Sequence, residues 1–196
     1  MHRLLLATRN WHKTREFAEI LGDGFDVHDL TGAVELPMVE ETGLTFEANA
    51  ILKAVETSRQ FQGLVVGDDS GLEVDELGGA PGIFSARYAG AHATDAANVV
   101  KLLGELAACG PGLHPARFRC SLALAQEGTL LGTFEGIVEG TIVDAPQGEG
   151  GFGYDPVFQP QGYGQTFGEL PAVEKNRISH RARAIRSLQT ALPAKP

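Results

Sequence analysis

The chain has 196 residues, 43% of them hydrophobic, and a net charge of -9. That length fits a single domain over 1–196 able to bury a core without disulfides. The negative charge argues against non-specific nucleic-acid binding, which rests on Lys and Arg at phosphates, and no apolar run reaches membrane-span length.

The elements follow in chain order. Arg3 to Ala7 predicts a strand, and Leu4 to Ala7 is too short for a signal-peptide core, so a cytoplasmic location is expected. Thr8 to His12 predicts a turn, and Lys13 to Leu21 a helix with Phe17, Ile20 and Leu21 on one face. Phe25 to Leu30 predicts a second strand. Thr45 to Gln60 predicts a helix capped by Thr45, with Phe46, Ala50, Ala54 and Val55 at helical spacing. Leu64 to Gly67 predicts a buried strand and Leu72 to Val74 another, with Asp68-Asp69-Ser70-Gly71 as a turn between them. The Gly- and Ala-rich stretch 78–94 predicts a loop, Asp75, Glu76 and Asp95 read as turn and cap residues, and Ala96 to Leu106 predicts a helix ended by Gly110-Pro111. Ala116 to Ala125 and Leu130 to Val143 predict two long strands joined at Glu127-Gly128. Ser179 to Leu192 predicts a closing helix stopped by Pro193. The order points to an α/β fold: a mixed sheet flanked by helices, with the long hairpin supporting a second lobe and a cleft between lobes.

Charge is unevenly spread. Residues 1–15 carry Arg3, Arg9, Lys13 and Arg15 with no acid, and 175–186 carry Lys175, Arg177, Arg181, Arg183 and Arg186 with none. Between them, 35–76 holds ten acids against Lys53 and Arg59. Two basic ends and an acidic middle suit an anionic ligand held partly through a metal ion. Cys109 and Cys120 form no metal motif and are expected as free thiols.

Four segments carry chemistry. Asp68-Asp69 follows an apolar run, a position suited to holding a divalent cation or activating water; a surface turn is the plain alternative. Thr8-Arg9-Asn10-Trp11-His12-Lys13 lies between strand and helix, where backbone N–H groups and the helix dipole favour phosphate; it lacks the Walker glycines. Glu41 precedes the second helix in a loop and is free to reach a cation. Gly150 to Pro156 is glycine-rich, so a flat ring can approach the backbone, with Phe152 or Tyr154 as a stacking face and Asp155 as an acceptor. Lys175 to Arg181 is expected to open the last helix, with Ser179 as its cap and Arg181 aimed at an anionic or carbonyl-bearing ligand.

These segments resemble the inosine triphosphate pyrophosphatases, also called dITP/XTP pyrophosphatases. The matching runs are Ala7-Thr8-x-Asn10-x-x-Lys13 with Glu16, Glu41-Thr42-Gly43-x-Thr45-Phe46, and Asn49-Ala50-x-x-Lys53-Ala54. Asp68 to Leu72, Gly78 to Gly82, Ser85 to Tyr88, Ala116-Arg117-Phe118, Gly151 to Pro156 and Glu174-Lys175-x-x-Ile178-Ser179-His180-Arg181 follow in order over nearly the whole chain.

The resemblance implies an elongated fold of two lobes with a central nucleotide-binding cleft, a homodimer, and Mg²⁺ as cofactor. It implies hydrolysis of a purine nucleoside triphosphate (ITP, dITP or XTP) to the monophosphate and pyrophosphate. By the same resemblance, Asp69 is the general base for attack on the α-phosphorus, and Glu41 and Asp69 hold Mg²⁺ with Asp68 nearby. Thr8, Arg9, Asn10, Trp11, His12, Lys13 and Ser70 would hold the triphosphate. Phe152, with Gly153 and Tyr154 beside it, would stack on the base, and Asp155, Lys175, His180 and Arg181 would read its edge. No nucleic-acid or membrane partner is implied.

Two departures stand out. Glu47-Ala48-Asn49 stands where many members carry Glu directly before the Asn. Adjacent helix positions point about 100° apart, so Glu47 either takes over that role or it is lost. Arg9 and His12 replace small residues common in the first motif. Two other functions fit the same motifs less well: a nucleotide sensor without turnover, and a pyrophosphatase for other modified triphosphates.

Overall fold

The structure, a computed structural model, describes residues 2–32, 36 and 38–192. Among the described residues, six strands form one mixed sheet in the order β2-β1-β3-β4-β5-β6. They are β1 (His2–Leu6), β2 (Phe25–Asp29), β3 (Leu64–Val74), β4 (His114–Gln126), β5 (Thr129–Ile142) and β6 (Phe158–Pro160). Strand β1 pairs in parallel with β2 and β3, and β5 pairs antiparallel with β6. The helices are α1 (Trp11–Leu21), α2 (Phe46–Ser58), α3 (Asp95–Cys109), α4 (Ala172–Ile178) and α5 (His180–Gln189). The mixed α/β sheet flanked by helices is thus the expected architecture. None of the helices among the described residues is long and apolar enough to cross a membrane.

Several boundaries differ from expectation, for physical reasons. The largest difference is β3, which runs unbroken from Leu64 to Val74, so Asp68 to Gly71 are strand residues and not a turn. The polar residues survive inside the strand because each carboxylate finds cationic partners. Helix α1 begins at Trp11, not Lys13, because the Asn10 side chain accepts from the His12 and Lys13 amides. Trp11 and His12 therefore sit in a helical turn. Helix α3 starts at Asp95, one residue early, with Thr94 as its cap.

The last helical stretch is two helices: Lys175 to Ile178 belong to α4, and Ser179, extended at φ -63° and ψ 161°, separates it from α5. Neither α4 nor the three-residue β6 was predicted, since elements that short carry little periodicity. Pro193 lies outside the described residues. The Glu127-Gly128 hairpin signal holds, with φ of 50° and 77° as a two-residue turn needs.

The chain divides into two compact units: Met1–Asp69, Cys120–Gly136 and Arg181–Pro196 in one, Ser70–Arg119 and Ile137–His180 in the other. In the first, strand alternation sorts side chains onto two faces. Leu4, Leu6, Val66, Leu122 and Leu124 pack with Phe17 and Leu21 of α1 and Ala184, Ile185 and Leu188 of α5. On the other face Leu5, Ala7 and Val65 pack with Leu30 and Leu36, and Ala123 and Ala125 with Ala50 and Ala54 of α2. Helix α2 lies so close that a Cβ on Gly67 would stand 2.1 Å from the Ala50 carbonyl oxygen. In the second unit Leu72, Val74, Val99, Leu102, Leu106, Phe118, Phe158 and Phe167 form the core.

Candidate active site

The first unit gathers its chemistry around β3. Asp68 and Asp69 are consecutive, so their side chains leave opposite faces of the strand. Asp69 turns to α2. Its Oδ2 accepts from Asn49 Nδ2 at 3.1 Å and its Oδ1 from Lys53 Nζ at 3.2 Å. Lys53 also donates to Glu41 Oε1 at 2.8 Å, so one ammonium bridges both carboxylates named from the sequence. Asn49 Oδ1 in turn accepts from the Gly43 amide at 2.7 Å, tying the Glu41 loop to the same helix. Burial raises the Asp69 carboxyl above its ordinary range and Glu41 adds to this, against the pull of Lys53 and Lys13.

Asp68 turns to α1 and α5. It ion-pairs with Lys13 and accepts from Arg181 Nε at 2.8 Å and from the Cys120 thiol at 3.6 Å. Arg181 NH1 donates to Glu16 Oε2 at 2.6 Å. The result is a buried row of alternating charges, Glu16, Arg181, Asp68 and Lys13. Burial favours neutrality of Asp68, but Arg181 and Lys13 hold its carboxyl well below the usual range. The arginine, expected as a base reader, is nearly inaccessible and is bonded to Asp68 and Glu16.

At the start of α1, Thr8 Oγ1 accepts from the Asn10 amide at 3.1 Å, and Asn10 Oδ1 accepts from His12 N at 3.0 Å. Arg9 donates to the Leu36 carbonyl at 3.1 Å. Trp11 is 57% exposed and stacks on His12 at 3.7 Å between ring centroids. Glu47 is exposed and accepts from Thr133 Oγ1 at 2.9 Å.

The second unit holds the aromatic loop. Asp155 Oδ2 accepts from the Phe152 amide at 2.8 Å and from Lys175 Nζ at 2.5 Å. The ammonium also lies 4.8 Å from the Phe152 ring centroid. Gly151 has φ 73°, and a Cβ there would stand 2.0 Å from Asp155 Oδ2, so only glycine admits that carboxylate. Tyr154 is a core residue whose hydroxyl donates to the Ser85 carbonyl at 2.9 Å, which leaves Phe152 as the stacking candidate. His180 is buried and stacks on Phe118 at 4.7 Å and 10°. Ser70 is the first residue of this unit, half-buried in β3.

A sequence profile described as Ham1 family matches residues 4–191. The chain belongs to the Ham1 family. A Bacillus licheniformis member named dITP/XTP pyrophosphatase is 48% identical over 193 residues, covering 98% of each chain. A Streptomyces avermitilis member of the same name is 49% identical over 191 residues, covering 96% of each. Among solved structures, a HAM1 protein from Coxiella burnetii superposes with a TM-score of 0.87 at 40% identity, over 97% of this chain and 98% of that one.

Within this Ham1 chain, three polar residues outside the expected site set are bonded into these charge clusters: Asn49 and Lys53 to Asp69, and Glu16 to Arg181. A sequence signal existed for two of them. Asn49 and Lys53 interrupt the apolar stripe of α2 beside Ala50 and Ala54, and a helix does not bury an amide and an ammonium there without partners. Among the described residues no group of three or more His, Cys, Asp or Glu is gathered to hold a metal.

Proposed function

We propose that this chain hydrolyses the deaminated purine triphosphates ITP, dITP and XTP to the monophosphate and pyrophosphate. The observation that carries this reading is the carboxylate pair Glu41 and Asp69, bridged by Lys53, in a member of a family whose similar relatives are named dITP/XTP pyrophosphatases. The Asp69 carboxyl, raised by burial and oriented by Asn49, suits a base that takes the proton from water attacking the α-phosphorus. Thr8, Asn10 and Lys13, with the α1 amides, hold the phosphates in this reading, and Arg9, Trp11, His12 and Ser70 line them.

Mg²⁺ is the proposed cofactor. It takes oxygen donors and commonly binds through one or two carboxylates plus substrate phosphates, so Glu41 and Asp69 suffice without a larger ligand cluster. When bound, it would supply positive charge to offset the charge that builds on the leaving pyrophosphate. Lys53 also offsets the repulsion between the two carboxylates.

Phe152 stacks on the base, Gly153 and Tyr154 shape its loop, and Lys175 donates to O6, with Asp155 and His180 beside it. Adenine would set its 6-amino donor against the Lys175 ammonium, and a buried unpaired donor supports strong discrimination. Arg181 contributes through Asp68. In this reading the enzyme is a cytoplasmic homodimer, and its cysteines are free thiols. The deciding experiment measures pyrophosphate and orthophosphate release from ITP, XTP, dITP, ATP, GTP and dTTP, with Mg²⁺ and with EDTA. Metal-dependent pyrophosphate release confined to the first three is expected. Release from all six would reject the base-reading argument, and none would leave a nucleotide sensor.

A further inference from the structure

The first turn of α3 is bonded into two neighbouring segments of the second unit. Thr94 Oγ1 caps the helix by accepting from Ala97 N at 3.2 Å. That leaves the next carboxylate unneeded for capping, and Asp95 Oδ2 instead accepts from the Gly153 amide at 2.7 Å. One turn on, Asn98 Oδ1 accepts from Ala89 N at 2.8 Å and Nδ2 donates to the Ala86 carbonyl at 3.3 Å. Tyr154 joins the two segments through its bond to the Ser85 carbonyl.

The aromatic loop is therefore fixed at three successive residues. Phe152 N is held by Asp155, Gly153 N by Asp95, and the Tyr154 hydroxyl by Ser85. Asp155 and Tyr154 are buried, whereas Asp95 is exposed. An exposed aspartate has water as an alternative partner, so its use on a glycine amide in a loop needs a reason beyond helix stability. Gly153 has φ 62°, a left-handed conformation that an unrestrained glycine leaves readily. Fixing its amide fixes the peptide plane next to Phe152.

We propose that Asp95 is a positioning residue for substrate specificity: through Gly153 it sets the plane of Phe152 on which the purine stacks. This rests on Phe152 being the base platform, as proposed above. Asp95 touches no substrate atom. It limits the orientations the ring adopts, so its effect falls on the base-dependent part of binding and not on the phosphate chemistry.

The test compares Asp95→Ala, Asp95→Asn and Phe152→Ala, with ITP as substrate and inorganic tripolyphosphate as a baseless competitive inhibitor. Loss of one solvent-exposed hydrogen bond predicts that Asp95→Ala raises the KM for ITP roughly five- to tenfold, with kcat within about twofold. The inhibition constant of tripolyphosphate stays unchanged. Asp95→Asn keeps an acceptor for Gly153 N and restores the KM. Melting curves of all three variants identify a general loss of structure. Phe152→Ala with a raised KM beside an unchanged Asp95→Ala overturns the Asp95 proposal alone. An unchanged Phe152→Ala overturns the base-platform reading and the proposal with it. Equal weakening of ITP and tripolyphosphate by Asp95→Ala also overturns it, as does failure of Asp95→Asn to restore the KM.

Discussion

Asp68 and Asp69 are neighbours in β3 that serve opposite faces of the sheet: Asp68 meets Arg181 and Lys13, while Asp69 meets Asn49 and Lys53. Strand alternation gives two adjacent carboxylates separate sets of partners. The two environments push the carboxyls in opposite directions, Asp68 down and Asp69 up. A base must accept a proton at working pH, and a carboxylate fixed between two cations does not.

Asp69→Asn should therefore abolish turnover with modest loss of binding. Removing a general base costs about 10²- to 10⁴-fold in rate. The asparagine keeps the shape of the carboxylate but sets an NH₂ against one of its two donors, so the variant should melt somewhat lower. Single-turnover ITP hydrolysis and equilibrium ITP binding check this. Turnover near that of the unmodified enzyme would remove Asp69 from the base role.

Lys53→Met should make stability depend more strongly on metal. Without the ammonium, Glu41 and Asp69 repel, and Asp69 is a buried carboxylate short of a partner. Breaking such a pair from one side is destabilising, and a loss of about 3–10 °C in Tm is expected in EDTA. Glu41 is partly exposed, which places the loss toward the low end. Added Mg²⁺ should restore more of the Tm than it adds to the unmodified protein. Equal metal-induced shifts in both proteins would count against Glu41 and Asp69 as the Mg²⁺ residues.

Acid stability follows from Asp68. Its carboxyl is held well below its ordinary 3.8, because Arg181 and Lys13 outweigh the upward push of burial. The unfolded chain thus takes up this proton more readily than the folded one. The charged carboxylate stabilises the fold above about pH 4, and that contribution is lost as pH falls from there through the lower folded value. Asp68→Asn lacks the contribution at every pH. Urea unfolding from pH 6 to pH 3 should show a large stability gap between the two proteins that narrows below about pH 4. A gap constant across that range would mean Asp68 is not the titrating group.

How much of this was legible in the sequence depended on how local each signal was. The Glu127-Gly128 turn and the Thr45 cap are set by a residue and its immediate neighbours, and both were readable. The unbroken course of β3 was not. Asp-Asp-Ser-Gly favours a turn locally, and the strand holds because Lys13, Lys53 and Arg181 arrive from 16 to 113 residues away in sequence. The same distance hid the ion pairs of Arg181 with Asp68 and Glu16, which lie 113 and 165 residues away in sequence. Glu41, Asp69, Phe152 and Lys175 stood out through the ordered set of family motifs, since locally Asp69 also fits a surface turn and Phe152 a core plug.

Lys175 provides the selectivity test. Its ammonium is buried between Asp155 and the Phe152 ring. As the donor to a purine O6, it should carry much of the preference for ITP over ATP. Lys175→Met alone would strand the Asp155 carboxylate in a buried site, so the double variant Lys175→Met, Asp155→Asn is the informative one. It removes the charge from both partners together, and the Asn side chain can still accept from Phe152 N. The ratio of kcat/KM for ITP over ATP should fall by about tenfold or more, mostly through loss of ITP activity. A ratio unchanged in a variant with a normal melting curve would mean that Lys175 holds the loop through Asp155 and reads no base.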